Sequence, residues 1–213
     1  MDEGLLAAVN TILRRQAGRQ VDAETLIHTY DKYEHALEQE KPHKPFRIVV
    51  GEGLRLAMEE LALSYESSDI EILTTGISTM PSFPEVVGAL SALKRQGFST
   101  CIISNTDDDI IAGNVALLDG HIDRVVTAQQ AQAYKPSRVI FEHAHKAIGV
   151  TQDQVVHICA SPHLDLAAAR DMGFTCIWID RGTGRKPPPG YRPNEVFSTL
   201  DRVPEFFESI GWA

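Results

Sequence analysis

The stretch Ser99-Thr-Cys-Ile-Ile-Ser104-Asn105-Thr106 is a short continuous apolar run that stops abruptly at small polar residues. The same punctuation returns at Val155-Val-His-Ile-Cys159, which runs into Ser161-Pro-His, and at Thr175-Cys-Ile-Trp-Ile-Asp180. Arg124-Val-Val-Thr127 is a briefer case. Helical patterns lie between these runs, at 84–96 before Gly97, at 107–118, at 137–148 before Gly149 and at 164–172. A glycine just past a helix suits the left-handed residue that ends it. Apolar runs alternating with helices predict a parallel sheet covered on both faces. A Pro-rich tail from Lys186 to Pro193 precedes a last helix over 203–210. In such sheets ligands bind beyond the carboxyl ends of the strands, so the residues just after each run are the functional candidates.

Upstream, the texture is helical. Leu5, Leu6, Val9, Ile12 and Leu13 recur at helical spacing, and the pattern stops near Gly18. Asp22 suits the N-cap of a second helix that continues through Tyr30, Tyr33 and Leu37. A charged loop closed by Pro42 and Pro45 follows, then another helix or pair of helices over 46–65. The expected organisation is a small helical bundle over 1–80 and an α/β core domain over 81–213.

Composition narrows the class. Of 213 residues, 43% are hydrophobic and 23% charged, which excludes fibrous and disordered readings. The net charge of −9 argues against nucleic acid or an anionic membrane as a partner, while leaving room for a local positive pocket. No apolar run approaches the roughly 20 residues of a membrane span. Cys101, Cys159 and Cys176 are odd in number and widely spaced, which argues against a disulfide framework or a zinc site and for a reducing, cytoplasmic setting.

Ser104, Asn105 and Thr106 lie between a strand and a helix, where hydroxyls and free amides can cradle an anion. Read singly, Ser104 or Thr106 is a helix cap. Lys135, before Pro136, reads singly as a solvated charge, and Asp165 as a carboxylate near a helix N-terminus. Ser161 opens the loop four residues before Asp165.

Taken in order, the strings Ile-Ile-Ser104-Asn105-Thr, Ala-Tyr-Lys135-Pro-Ser-Arg-Val-Ile-Phe and Ser161-Pro-His-Leu-Asp165-Leu-Ala-Ala-Ala-Arg-Asp-Met-Gly-Phe resemble the haloacid dehalogenase-like hydrolase superfamily, in its type II haloacid dehalogenase branch. The Trp178-Ile-Asp-Arg-Gly string looks like that branch too. The resemblance covers about residues 80–205 and reaches weakly into 1–80. It implies a Rossmann-like parallel core with an N-terminal α-helical cap. It also implies hydrolytic dehalogenation of short 2-haloalkanoic acids through an aspartyl-ester intermediate. Ser104 and Asn105, with Thr106 and Ser161 beside them, would hold the anionic group of a small-molecule substrate. Lys135 would neutralise the nucleophile and the developing charge, and Asp165 would orient that lysine or the attacking water.

The pattern departs in three places. The family's nucleophile is an Asp in a string like hydrophobic-Phe-Asp-x-Tyr-Gly-Thr-Leu, and no such string exists here. Asp2-Glu3-Gly4 looks like the segment after it. The expectation is therefore a missing first core strand and a truncated chain, inactive as written. Relatives that are phosphatases hold magnesium with the nucleophile and an acidic pair four apart; Ser161 stands where the first of that pair would be. The resemblance thus implies no metal and no cofactor. Where haloacid dehalogenases carry an arginine in the cap and an asparagine in the fourth-motif loop, this chain has Thr29 and Pro162, with Arg14, Arg15 or Arg47 as substitutes. A small-molecule phosphatase and a non-catalytic degenerate homologue remain as alternatives, and a homodimer is compatible with either.

Overall fold

A computed structural model describes residues 3–16, 18 and 20–212. The chain divides into two compact units, one of residues 1–81, 105–117 and 128–132, the other of 82–104, 118–127 and 133–213.

The first unit is helical. Helices α1 (Glu3–Leu13), α2 (Ala23–Glu38), α3 (Phe46–Glu60) and α4 (Ser68–Ser78) bury Ile12, Leu26, Val49, Leu54, Met58 and Leu73. Asp22 caps α2, its carboxylate accepting from Thr25 N at 2.7 Å. The chain over 46–65 makes one helix that ends at Glu60, and Ala62 then adopts φ +54°. The helix that follows, α4, is a separate element whose Ile, Thr and Gly content disguises it. Arg15 pairs with Glu66 and with the buried Asp69, tying α1 to α4.

The second unit carries the strands. After α5 (Val86–Arg95), β1 (Cys101–Ser104) pairs in parallel with β2 (Arg124–Thr127). Between them in sequence, α6 (Asp108–Ala116) belongs to the first unit, as does the short α7 (Ala128–Ala131) after β2. Next come α8 (Arg138–Ile148), β3 (Val156–Cys159), α9 (Ala167–Met172), β4 (Thr175–Ile179), β5 (Glu195–Phe197) and α10 (Arg202–Ser209). The strands β3, β4 and β5 form a second parallel ladder.

The parallel strands and helical cover fit the Rossmann-like expectation, but the strands stand in two ladders rather than one. Among the described residues, no strand joins the second edge of β1 or of β3. Neighbouring strands must lie about 4.8 Å apart to bond, so two ladders without a strand between them do not merge. β5, which the Pro-rich tail concealed, is a three-residue edge strand.

The register of β3 and β4 sorts their side chains. Val156, Ile158, Ile177 and Ile179 face one way and pack with Leu93 of α5 and Val203 and Phe207 of α10. His157, Cys159, Cys176 and Trp178 face the other way, where Phe141 of α8 meets His157 edge-on at 5.5 Å.

Candidate active site

The loop after β3 sets the site. Ser161 O accepts from Asp165 N at 3.0 Å and from Leu166 N at 3.3 Å, so 162–166 winds as a wide π-type turn before α9 begins. Where a helix from Leu164 is expected, this turn buries Asp165, at 3% exposure, instead of presenting it on a regular first turn. Such wide turns are frequent at functional sites.

Three side chains meet there. Lys135 Nζ lies 3.0 Å from Asp165 Oδ1 and His157 Nε2 lies 2.9 Å from the same oxygen. All three are largely shielded from solvent, with side-chain exposures of 12%, 4% and 14% for Lys135, Asp165 and His157. Burial alone would raise the Asp165 carboxyl. The positive charge of Lys135 and the hydrogen bond and charge of His157 outweigh it and hold the carboxyl well below the usual carboxylate range. Asp165 is therefore a fixed anion that positions the Lys135 ammonium. His157 was not singled out from the sequence. The available signal was its place on the inward-alternating side of Val155-Val-His-Ile-Cys, eight residues before Asp165.

The other sequence candidates are placed as follows. Ser104 closes β1 opposite Thr127, half-buried. Asn105 Nδ2 donates to both carboxylate oxygens of Glu38, at 3.2 Å each, within the first unit. Thr106 is half-buried. Asp107 accepts from Phe46 N and Arg47 N at 2.9 Å, so its carboxylate caps α3 rather than α6. The Ser161 Oγ is buried and meets no hydrogen-bond partner among the described residues. Of the cap arginines, Arg47 pairs with Asp109 at 2.7 Å and donates to Thr74, Arg14 donates to Thr11, and Arg15 is spent as above. Thr29 Oγ1 donates to Thr25 O. Arg181, from the Trp178-Ile-Asp-Arg-Gly string, pairs with Glu85 at 2.7 Å and lies 3.6 Å from the Phe83 ring, a bracing role. Beside the wide turn runs an open groove of about 460 Å³ lined by Pro162, His163, Arg185 and Lys186, a locally positive surface on an acidic chain.

A buried carboxylate that locks a lysine supplies a fixed cation, which can hold an anion and stabilise charge developing on it. A profile described as "Hydrolase: haloacid dehalogenase-like hydrolase" matches residues 14–173. The chain is 26% identical over 160 residues to haloacetate dehalogenase H-2 of Moraxella sp. (strain B), covering 74% of this chain and 71% of that one. It is 25% identical over 195 residues to (S)-2-haloacid dehalogenase 4A of Burkholderia cepacia, covering 88% and 83%. The structure of L-2-haloacid dehalogenase from Xanthobacter autotrophicus with chloropropionic acid covalently bound superposes with a TM-score of 0.82 at 16% identity, over 97% of this chain and 94% of that one.

Proposed function

The chain belongs to the haloacid dehalogenase-like hydrolase family, and from that premise we propose that its site serves the hydrolytic removal of halide from short 2-haloalkanoic acids. The observation that carries the reading is the buried Lys135–Asp165 pair at 3.0 Å. In this chemistry a carboxylate displaces the halide at C2 and forms an ester, which water then cleaves. Two anions, nucleophile and substrate carboxylate, must approach each other, which requires a fixed cation. Lys135 supplies it, Asp165 fixes its position, and His157 holds the second lone-pair region of the same Asp165 oxygen. Ser104 and Ser161, both of the second unit, offer hydroxyls for the substrate's anionic group. Asp165 is a poor nucleophile, because its oxygen is already engaged by two donors and buried.

Support for the dehalogenase over the phosphatase reading comes from Ser161, since magnesium favours carboxylate oxygens and this position offers a hydroxyl. No string in the sequence matches the family's nucleophile motif, so the chain as written is expected to bind but not to turn over haloacids. The test is calorimetric binding of 2-chloropropionate together with assays of halide and phosphate release, each with and without chelator. Chelator-insensitive binding that Lys135→Met abolishes, without halide release, is the expected result. Phosphate release from a phosphomonoester, abolished by chelator and restored by magnesium, would replace this reading with the phosphatase one. Absence of binding would leave the non-catalytic homologue.

A further inference from the structure

Cys176 follows Cys159 by seventeen positions, yet the parallel register of β3 and β4 brings their sulfurs to 3.6 Å. His157 lies directly across from Cys176 in the same ladder, and Cys159 is two residues further along on the same face. Asp165 reaches over this face from the wide turn, its Oδ1 2.9 Å from His157 Nε2. One ligand atom each from His157, Cys159 and Asp165 lies within 4.8 Å of the others. We propose that His157, Cys159, Cys176 and Asp165 form a site for a borderline-soft divalent cation of the zinc class.

Two of the six ligand–ligand separations stand near tetrahedral values, while the His157, Cys159 and Asp165 atoms, all within 4.8 Å of one another, must draw together around the ion and bring Cys176 with them. Zinc binds sulfur at about 2.3 Å and nitrogen or oxygen at about 2.0–2.2 Å, so two sulfurs of a tetrahedral site stand about 3.8 Å apart and a nitrogen–oxygen pair about 3.4 Å apart. The thiol pair is already at that separation, and the His157–Asp165 contact has to open by about half an ångström to admit the ion. Two thiolates, an imidazole and a carboxylate select zinc-class ions over magnesium or calcium, which take oxygen sets.

Charge balance also holds. The buried cluster now contains the Asp165 anion and the Lys135 cation. A divalent ion that displaces one proton from each thiol adds two positive and two negative charges. With His157 as the neutral imidazole, its one proton on Nδ1 so that the Nε2 lone pair meets the ion, the buried total is unchanged and Lys135 keeps its place on the carboxylate. An imidazolium would release its Nε2 proton to solvent as well. The Zn–S bonds form as two S–H bonds break, and both protons leave to solvent. No redox partner is needed. On the opposite side of the same strands Val156, Ile158, Ile177 and Ile179 pack into an apolar cluster, so the metal-ligating residues are gathered on one face. Because the ion would share Asp165 with Lys135, loading tethers the positioning carboxylate and slows any chemistry that needs Lys135 to move.

The test is titration of the reduced, purified chain with cobalt(II), which reports a four-coordinate thiolate site by intense visible bands and thiolate-to-metal charge transfer. One equivalent of cobalt is expected to produce both, and one equivalent of zinc to abolish them. Cys159→Ala should weaken binding about ten-fold or more and diminish the charge-transfer band, while Cys101→Ser leaves both unchanged. No charge-transfer band at equimolar cobalt, or a band that survives Cys159→Ala, overturns the proposal. Should that variant fail to fold, X-ray absorption of the zinc-loaded parent decides: sulfur neighbours at about 2.3 Å support the site, and a shell of nitrogen and oxygen alone overturns it. None of these readouts requires turnover, so they are independent of the dehalogenase reading.

Discussion

Lys135 and Asp165, thirty residues apart in sequence, meet at 3.0 Å with side-chain exposures of 12% and 4%. A pair this shielded differs from the surface ion pairs elsewhere on the chain, such as Arg55–Glu59, whose members are 50% and 71% exposed. Exposed pairs contribute about 0–1 kcal/mol because water and salt screen them. In a buried pair the consequence lies mainly in breaking it from one side, since the remaining charge has no water to turn to.

Lys135→Met should therefore destabilise the chain by about 3–5 kcal/mol, leaving the Asp165 carboxylate with His157 alone. The double variant Lys135→Met with Asp165→Leu should recover most of that loss, because neither charge of the pair remains. Urea denaturation of the parent and both variants measures this. A single-variant loss under about 1 kcal/mol would place the pair in the screened, surface class.

Acid should act through the same carboxyl. Asp165 has its folded-state affinity for protons lowered below the ordinary value of 3.8, because the Lys135 and His157 contributions together exceed the opposing burial effect. Well above pH 3.8, from about pH 5 upward, both folded and unfolded carboxyls are ionised, and the full stabilisation is present. As pH falls through 3.8 the unfolded chain takes up the proton first, so stability declines until the folded carboxyl also protonates. Asp165→Asn should be less stable at pH 7 and show a flatter decline between pH 5 and 3 in urea midpoints. An acid limb of unchanged slope would mean that other carboxylates carry it.

How far the sequence discloses this site depends on whether the contact is local. β2 is legible at Arg124-Val-Val-Thr127 because a buried parallel strand leaves a continuous apolar run, and Asp22 is legible because capping acts over three residues. The ordered strings around Lys135 and Asp165 mark both residues, and the structure joins them. His157 and the Cys159–Cys176 contact are hidden, since they depend on the register between two strands, which spacing along the chain does not encode. Wide cysteine spacing argues against a shared ligand only when the chain between is not folded back. α4 hides for another reason: Ile70, Ile72, Thr74, Thr75 and Gly76 are weak helix formers, and burial of Leu73 and Thr74 overrides them.

Gly113 on α6 tests the packing of the helical unit. A Cβ there would run into the hydroxyl and backbone carbonyl of Ser78 at the end of α4, and backbone cannot swing aside as a flexible side chain can. Gly113→Ala should gain slightly in helix propensity and still lose about 2 kcal/mol net through overpacking. Thermal unfolding of the variant checks the sign. A rise in Tm would mean that α4 and α6 separate without cost.

Ser161→Asp asks why this site lacks a second carboxylate. Ser161 Oγ is buried without a partner among the described residues, and it stands four residues before Asp165 on the wide turn. In the parent, magnesium would find one carboxylate there, and that one is already held by Lys135 and His157. Magnesium takes an octahedral oxygen set and binds through one or two carboxylates, so a hydroxyl in that place is a weak inducement. A second carboxylate adds like charge next to Asp165, which destabilises the folded chain until a cation neutralises it. Ser161→Asp should therefore melt below the parent in the presence of chelator. Magnesium should then raise the variant's Tm, by the equivalent of about 2.7 kcal/mol at a concentration one hundred times its Kd, while the parent does not respond. Scanning fluorimetry with a magnesium series measures both. A parent stabilised as strongly as the variant would show that Ser161 and Asp165 already suffice for magnesium, and would move the metal-dependent phosphatase reading ahead of the dehalogenase one.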